Sequence, residues 1–225
     1  MIPMKKNCFS LTLVFLFFVI VCSSGCNNSR KIPKDFDYGS WTGPTYKNDF
    51  FGFSITIPKD WYIAEKEEMK AIMKDGFEEL QNANLSNEKE IKKVAKIAEI
   101  TTANLFAVMR YSEEEALEKE DFNPNIASLV EKLPAKMDRA QYVKIARHTL
   151  SEAIPNLVVK SETNKMVGGQ EFVSLEMEFE MYGIPIYQEQ LICLKNGFAV
   201  YFCLTWLDDS DKKQLDAIMA TLTWE

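Results

Sequence analysis

Glu171-Phe172-Val173-Ser174-Leu175-Glu176-Met177-Glu178-Phe179-Glu180-Met181-Tyr182 is the stretch that decides the fold. Val173, Leu175, Met177, Phe179 and Met181 fall on one side of an extended chain, and Ser174, Glu176, Glu178 and Glu180 on the other. A period of two is the mark of a strand with one face on a core and one toward water. It also constrains the strand before it, expected over Leu157–Val167. With Gly168-Gly169 alone as the loop, Lys160 and Glu162 would face inward beside Met177 and Leu175. A three-residue loop, Val167-Gly168-Gly169, instead sets Val159 beside Met177 and Lys160 beside Glu176. A one-residue slip turns every side chain over, so burial of the apolar set favours the longer loop. Gly169 then takes the left-handed position such loops need.

Downstream, Pro185–Lys195 and Phe198–Trp206 read as two more strands joined by Asn196-Gly197, a strong hairpin signal. A two-residue loop sets Lys195 opposite Phe198, Cys193 opposite Val200 and Cys203 opposite Gln190. The thiols of Cys193 and Cys203 then point to opposite sides of the sheet; counting Lys195 into the loop restores one face but leaves them beyond the ~7 Å Cα limit, so no disulfide is expected in either register. Both read as small apolar residues of a packed sheet. A closing helix is expected over Asp208–Leu222.

Upstream, Phe50–Pro58 alternates as a strand, with Phe51, Phe53, Ile55 and Ile57 on one face. Glu65–Gln81 carries Met69, Ile72, Met73 and Leu80 at helical spacing. Asn87 with Glu90 matches a capping pattern and opens a second helix. Asn104–Tyr111 reads as a strand, and the acidic run Glu113–Asp121 as a solvated loop or helix end. Asn125–Leu133 looks like a short helix halted by Pro134. Asp138–Ile154 looks like a longer one, ended by Pro155. Residues 26–49 are polar, contain Pro33 and Pro44, show neither period, and read as a flexible tether. The expected architecture is one globular α+β domain over 50–225, an antiparallel sheet of about six strands packed against helices.

The N-terminus carries an address. Lys5 and Lys6 precede an apolar run, Leu11–Val21, broken only by Thr12 and followed by Ser23-Ser24-Gly25-Cys26. A charged start, an apolar middle and small residues before a cut are the layout of a secretory signal over 1–25. The run is roughly half the ~20 residues a membrane-spanning helix requires. A cysteine directly after the small residues resembles the lipobox of bacterial lipoproteins, although Ser23 stands where an aliphatic residue is usual. The resemblance implies that Cys26 is diacylated, becomes the mature N-terminus and anchors the chain to a bacterial membrane on the extracytoplasmic side. The whole chain has 26 basic and 33 acidic side chains, a net charge of −7. Loss of Lys5 and Lys6 with the signal takes this to −9. Such a chain is a poor partner for nucleic acid, whose phosphates need clustered Lys and Arg. The same charge is repelled by anionic lipid surfaces, which leaves attachment to the acyl chains.

Asn48-Asp49-Phe50-Phe51-Gly52-Phe53-Ser54-Ile55-Thr56-Ile57-Pro58-Lys59-Asp60-Trp61 resembles the opening of PsbP/Mog1-like domains. In these, Phe-Gly-Phe-x-aliphatic is followed by Pro and Trp. The tail is similar in kind: a hydrophobic hairpin tipped by Asn-Gly, a helix, and a last apolar stretch, Ala220-Thr221-Leu222-Thr223-Trp224. The resemblance spans about residues 48–225, carried by its two ends, and Ala64–Ile100 is longer than the family's usual connection. It implies an antiparallel sheet with helices on it, and domains that act as assembly factors and binding modules. No catalytic motif and no cofactor comes with it.

Candidate chemistry is sparse. His148, the single histidine, lies at the edge of a helical apolar stripe with no nucleophile or orienting group assigned to it. One histidine and two diverging thiols make no zinc site. Glu176, Glu178, Glu180 and Glu189 could gather on one hairpin face, but alternate strand positions are nearly ~7 Å apart, which suits a solvated or Lys-paired face better than calcium. Gly168-Gly169 reads as a turn and not a phosphate cradle, because no helix follows it. Trp41, Tyr46 and Tyr187 could form a partner patch or pack ordinarily. The expected function is therefore a non-enzymatic, lipid-anchored module of the cell envelope that binds another envelope protein. A carrier holding a small ligand between sheet and helices stands second, and an envelope hydrolase ranks last.

Overall fold

Turn chemistry and alternation build most of the structure from the C-terminal half outward. The computed structural model describes residues 31–72, 75, 88–119, 121–134, 137–154 and 156–225. The signal segment 1–25, Cys26, the capping residue Asn87, Pro155 and most of the helix expected beyond Ile72 lie outside the described residues. The strands are β1 (Ser40–Thr42), β2 (Thr45–Asn48), β3 (Phe53–Thr56), β4 (Tyr62–Ile63), β5 (Thr102–Met109) and β6 (Asn125–Lys132). They continue as β7 (Val158–Val167), β8 (Gln170–Met181), β9 (Ile184–Lys195), β10 (Phe198–Trp206) and β11 (Thr223–Trp224). A helix α1 covers 66–72, and α2 (Glu88–Thr101), α3 (Glu113–Lys119), α4 (Arg139–Ala153) and α5 (Asp209–Met219) follow.

The strands form two antiparallel sheets. The larger has seven strands in the order β4-β5-β6-β10-β9-β8-β7, and the smaller has four, β1-β2-β3-β11. The antiparallel α+β architecture is the expected one, with a seven-stranded main sheet and a second small sheet. One face of the large sheet presents Leu175, Ile192, Tyr201 and Cys203 to Tyr142, Val143 and Ala146 of α4. The other presents Phe172, Leu191, Cys193 and Phe202 to Phe53 and Ile55 of the small sheet and to Leu215 and Ile218 of α5. Helices α4 and α5 start where the sequence provides a cap. Asp138 accepts from the Gln141 backbone N–H at 2.8 Å, and Asp208 from those of Ser210 and Asp211 at 2.8 and 2.9 Å. These bonds satisfy donors that the first helical turn leaves free.

The β9–β10 register is the expected one: Lys195 opposes Phe198, Cys193 opposes Val200 and Cys203 opposes Gln190. Asn196 and Gly197 hold φ of 52° and 78°, the two left-handed residues of a type I′ turn.

Three expectations need correction. The loop between β7 and β8 is Gly168-Gly169 alone, with Val167 opposite Gln170 and Glu162 opposite Leu175. A bulge at Lys160 then restores Val159 opposite Met177, so the apolar pair forms without the longer loop. Glu162 is tolerated on that side because β7 is an edge strand and Arg147 of α4 meets it at 3.3 Å. Residues 125–132 are strand β6, not a helix. Asn125 through Glu131 are all buried, because the strand lies mid-sheet with both faces covered, and two-sided burial erases the alternation. The tether expected over 26–49 is folded through most of its length. Strands β1 and β2 lie within it, and Tyr46 and Asn48 are 1% and 0% exposed. The polar composition there reflects a hairpin whose few large side chains are all spent on the core, so the domain starts near Ile32 instead of Phe50.

Candidate functional site

The β9–β10 pairing sets Tyr187 opposite Trp206 on the face that carries α5. Their rings stack with centroids 6.2 Å apart and planes 20° from parallel. The chain leaves β10 at Trp206 and enters α5 through the cap Asp208, which brings the helix start beside the rings. The result is an open recess of about 700 Å³ lined by Tyr187, Trp206, Leu207, Asp208, Asp209 and Ser210. Both rings are half-buried, whereas Asp208, Asp209 and Ser210 are exposed. An aromatic shelf under an acidic rim suits a flat apolar group or a cationic side chain, since a ring face attracts positive charge.

Behind the shelf, Lys212 of α5 lies 5.1 Å from the Trp206 ring and bonds Asp216. Its Nζ also stands 3.2 Å from Glu189 Oε2. Glu189 is fully buried, and its Oε1 accepts from Ser174 Oγ at 2.7 Å and from Lys165 Nζ at 3.0 Å. Burial pushes the Glu189 carboxyl up, but the Ser174 hydroxyl and the Lys212 and Lys165 ammonium groups together bring it below its ordinary value. Asp211 lies nearby, 3.3 Å from Arg110 Nη1; burial, then the neighbouring Asp208, raises its pKa. On the opposite face, Tyr142 Oη donates to Glu131 Oε2 at 2.5 Å and contacts Tyr201 Oη at 2.5 Å. Burial first, then the Glu131 charge, pushes the Tyr142 hydroxyl far above the usual phenol range. These groups are held as structural pairs, and the carboxylates that line the recess itself are those of Asp208 and Asp209.

The residues singled out from sequence separate in space. His148 is exposed on α4. Cys193 and Cys203 are free and buried on opposite faces, and burial pushes both thiols up to about 12. Glu178 pairs with Lys160 at 2.8 Å, Glu176 accepts from Ser161 Oγ at 3.0 Å, and Glu189 is buried as described. Among the described residues no three His, Cys, Asp or Glu side chains could hold a metal. Of the three aromatics, Tyr46 is buried and Trp41 packs against it and Phe106 at 5.3 and 6.0 Å. Only Tyr187 reaches the recess. Its partner Trp206 was not singled out, although the Asn196-Gly197 register pairs the two directly.

No protein-family model matches the chain, and no curated protein sequence matches it. Solved structures do. PsbP (CyanoP) of Synechocystis sp. PCC 6803 superposes with a TM-score of 0.50 at 9% identity, covering 80% of this chain and 91% of that one. LpqN, involved in cell envelope biogenesis of Mycobacterium tuberculosis, gives a TM-score of 0.45 at 16% identity, covering 76% and 82%. At such identities the likeness concerns the arrangement of the backbone. The element order, the antiparallel sheet with helices against it and the superposition on PsbP agree: this chain has a PsbP-like α+β fold.

Proposed function

We propose that the protein is a bacterial envelope lipoprotein, held by acyl chains on Cys26 at the extracytoplasmic side of a membrane, that binds another envelope protein without catalysis. The observation that carries the binding reading is the half-buried Tyr187–Trp206 stack under the Asp208–Asp209 rim. Aromatic side chains offer large contact area at low entropic cost and dominate protein–protein contacts. The recess is open on its outer side, which supports a surface contact over carriage of an enclosed ligand. The acidic rim and the net charge of −9 expected for the mature chain favour a basic segment on the partner. The exposed histidine and the two thiols raised to about 12 give no support to the hydrolase reading. Anchoring rests on the signal and Ser23-Ser24-Gly25-Cys26.

Two measurements in the native host test this. With labelled palmitate, wild type incorporates label and Cys26→Ser does not; label retained by the mutant overturns the anchor. A photo-crosslinking residue at Tyr187 gives a discrete protein adduct that Trp206→Ala abolishes. The same residue at Met166, exposed on the opposite face, gives none. Equal adducts at both positions, or none at Tyr187, overturn the recess as the binding surface.

A further inference from the structure

We infer that the end of the domain opposite the recess is a membrane-facing surface, on which Phe50 and Tyr38 rest at the headgroup level of the bilayer that carries the anchor. The inference rests on the anchor reading and deepens it. Phe50 and Tyr38 are 42% and 38% exposed, and Ile100 is 46% exposed. They are continuous through Phe36, whose ring lies 5.1 Å from Tyr38, 6.2 Å from Phe50 and 5.4 Å from Phe198. The Ile32 backbone N–H bonds the Ile100 carbonyl at 3.2 Å, which fixes the entering chain against the same end. The patch is therefore a rigid surface of the fold.

Two observations say what covers it. The first is chain length. Only five residues lie between Cys26 and Ile32, so at most ~21 Å of extended chain, six residue steps, joins the acyl anchor to this end of the domain. The opposite end stands much farther off. From Phe198 to Trp206, β10 spans nine residues, or roughly 27 Å at strand rise. A domain held so closely at one end presents that end to the bilayer and its recess outward, toward a partner.

The second is local charge, which is less acidic at this end than the average of the chain. Lys66 Nζ lies 4.0 Å from the Tyr38 ring and Lys132 Nζ 4.2 Å from the Phe198 ring, and Lys31, Lys34 and Lys47 are exposed around them. Three aspartates share this end with Glu225, whose backbone N–H bonds the Gly52 carbonyl at 2.8 Å. Asp37 accepts from the Gly39 and Phe50 backbone N–H groups at 2.8 and 3.2 Å, Asp49 pairs with Lys47 at 2.8 Å, and Asp35 is exposed. Aromatic rings bordered by lysines match the bilayer interface, where amphipathic rings sit at headgroup level and ammonium groups meet phosphate. The acyl chains supply attachment, and this surface sets orientation.

The test uses the acylated full-length protein, purified from its host and reconstituted in phosphatidylethanolamine–phosphatidylglycerol vesicles. Because Cys193 and Cys203 are buried, an environment-sensitive fluorophore can be placed at Phe50→Cys, and in a second variant at Tyr182→Cys on the β8–β9 turn. On vesicles, emission at position 50 shifts blue and falls by half or more with headgroup-proximal doxyl lipid, while position 182 is unchanged. If the protein floats with vesicles and mass spectrometry finds acyl groups on Cys26, yet position 50 matches position 182, the surface is wrong and the anchor stands. If wild type carries no acyl mass on Cys26, both readings fall.

Discussion

Lys212 on α5 and Glu189 on β9 stand 3.2 Å apart, a partly exposed ammonium over a fully buried carboxylate, and this pair joins the helix bordering the recess to the sheet beneath it. Glu189→Gln leaves two lysines without their shared partner. The expected loss is about 1–3 kcal/mol, read from the urea midpoint. It stays below the ~3–5 kcal/mol of a sealed pair, because Lys165 and Lys212 keep 42% and 19% exposure and can turn to water.

The same carboxylate fixes a pH dependence. Its folded pKa is depressed, so the unfolded chain binds the proton first as pH falls. Its contribution is complete above the unfolded value, ~4.3, and is lost as pH falls through the folded value. Melting temperatures of wild type and Glu189→Gln converge in that acid window. A gap of constant size down to the acid transition contradicts the assignment.

Gly168 and Gly169 share one turn and differ in their surroundings. A Cβ on Gly168 would lie 2.3 Å from the Leu222 carbonyl oxygen, because β11 crosses over the turn and the Trp224 N–H bonds the Gly168 carbonyl at 3.0 Å. A Cβ on Gly169 meets nothing within 4 Å. Gly169→Ala pays only for its left-handed backbone, ~1–2 kcal/mol. Gly168→Ala loses a further ~1–3 kcal/mol to the displaced C-terminal segment. Equal losses in chemical denaturation refute the crossing.

The hairpin at 40–48 belongs to the domain, and truncation shows it. A chain beginning at Ile32 melts cooperatively, whereas one beginning at Phe50 does not. Tyr46→Ala in the longer chain costs about 3–5 kcal/mol, since Tyr46 is 1% exposed and its hydroxyl donates to the Tyr38 carbonyl at 2.6 Å. Undiminished stability of the Phe50 truncation restores the tether.

Thiol chemistry reports the two-sided sheet. Cys193 and Cys203 resist alkylation in the folded protein and both react in guanidinium, because burial disfavours the thiolate and blocks access. Native exchange then follows global opening. One thiol that reacts rapidly in the native state rules out the covered face assigned to it.

The sequence alone determined what depends on neighbours in the chain. Asn196-Gly197 sets a turn whose arithmetic pairs Lys195 with Phe198 and separates the two thiols. Alternation at Val173–Met181 marks a core-facing strand, and Asp138 and Asp208 mark helix starts. Each of these is local physics: turn dihedrals, a period of two, a carboxylate on free N–H groups. Tertiary structure decided which faces are covered. Strand β6 loses its alternation because elements from both ends of the chain close over it, and β2 reads as polar linker until Tyr46 is seen against Phe53 and Phe106. The bulge at Lys160 answers to the pairing with β8, and the burial of Glu189 to Lys212 on α5. The recess needed both: the register set Tyr187 against Trp206, and the docking of α5 gave the stack its acidic rim. Burial is a property of contacts between residues far apart in sequence, and local patterns record it only where a single face is covered.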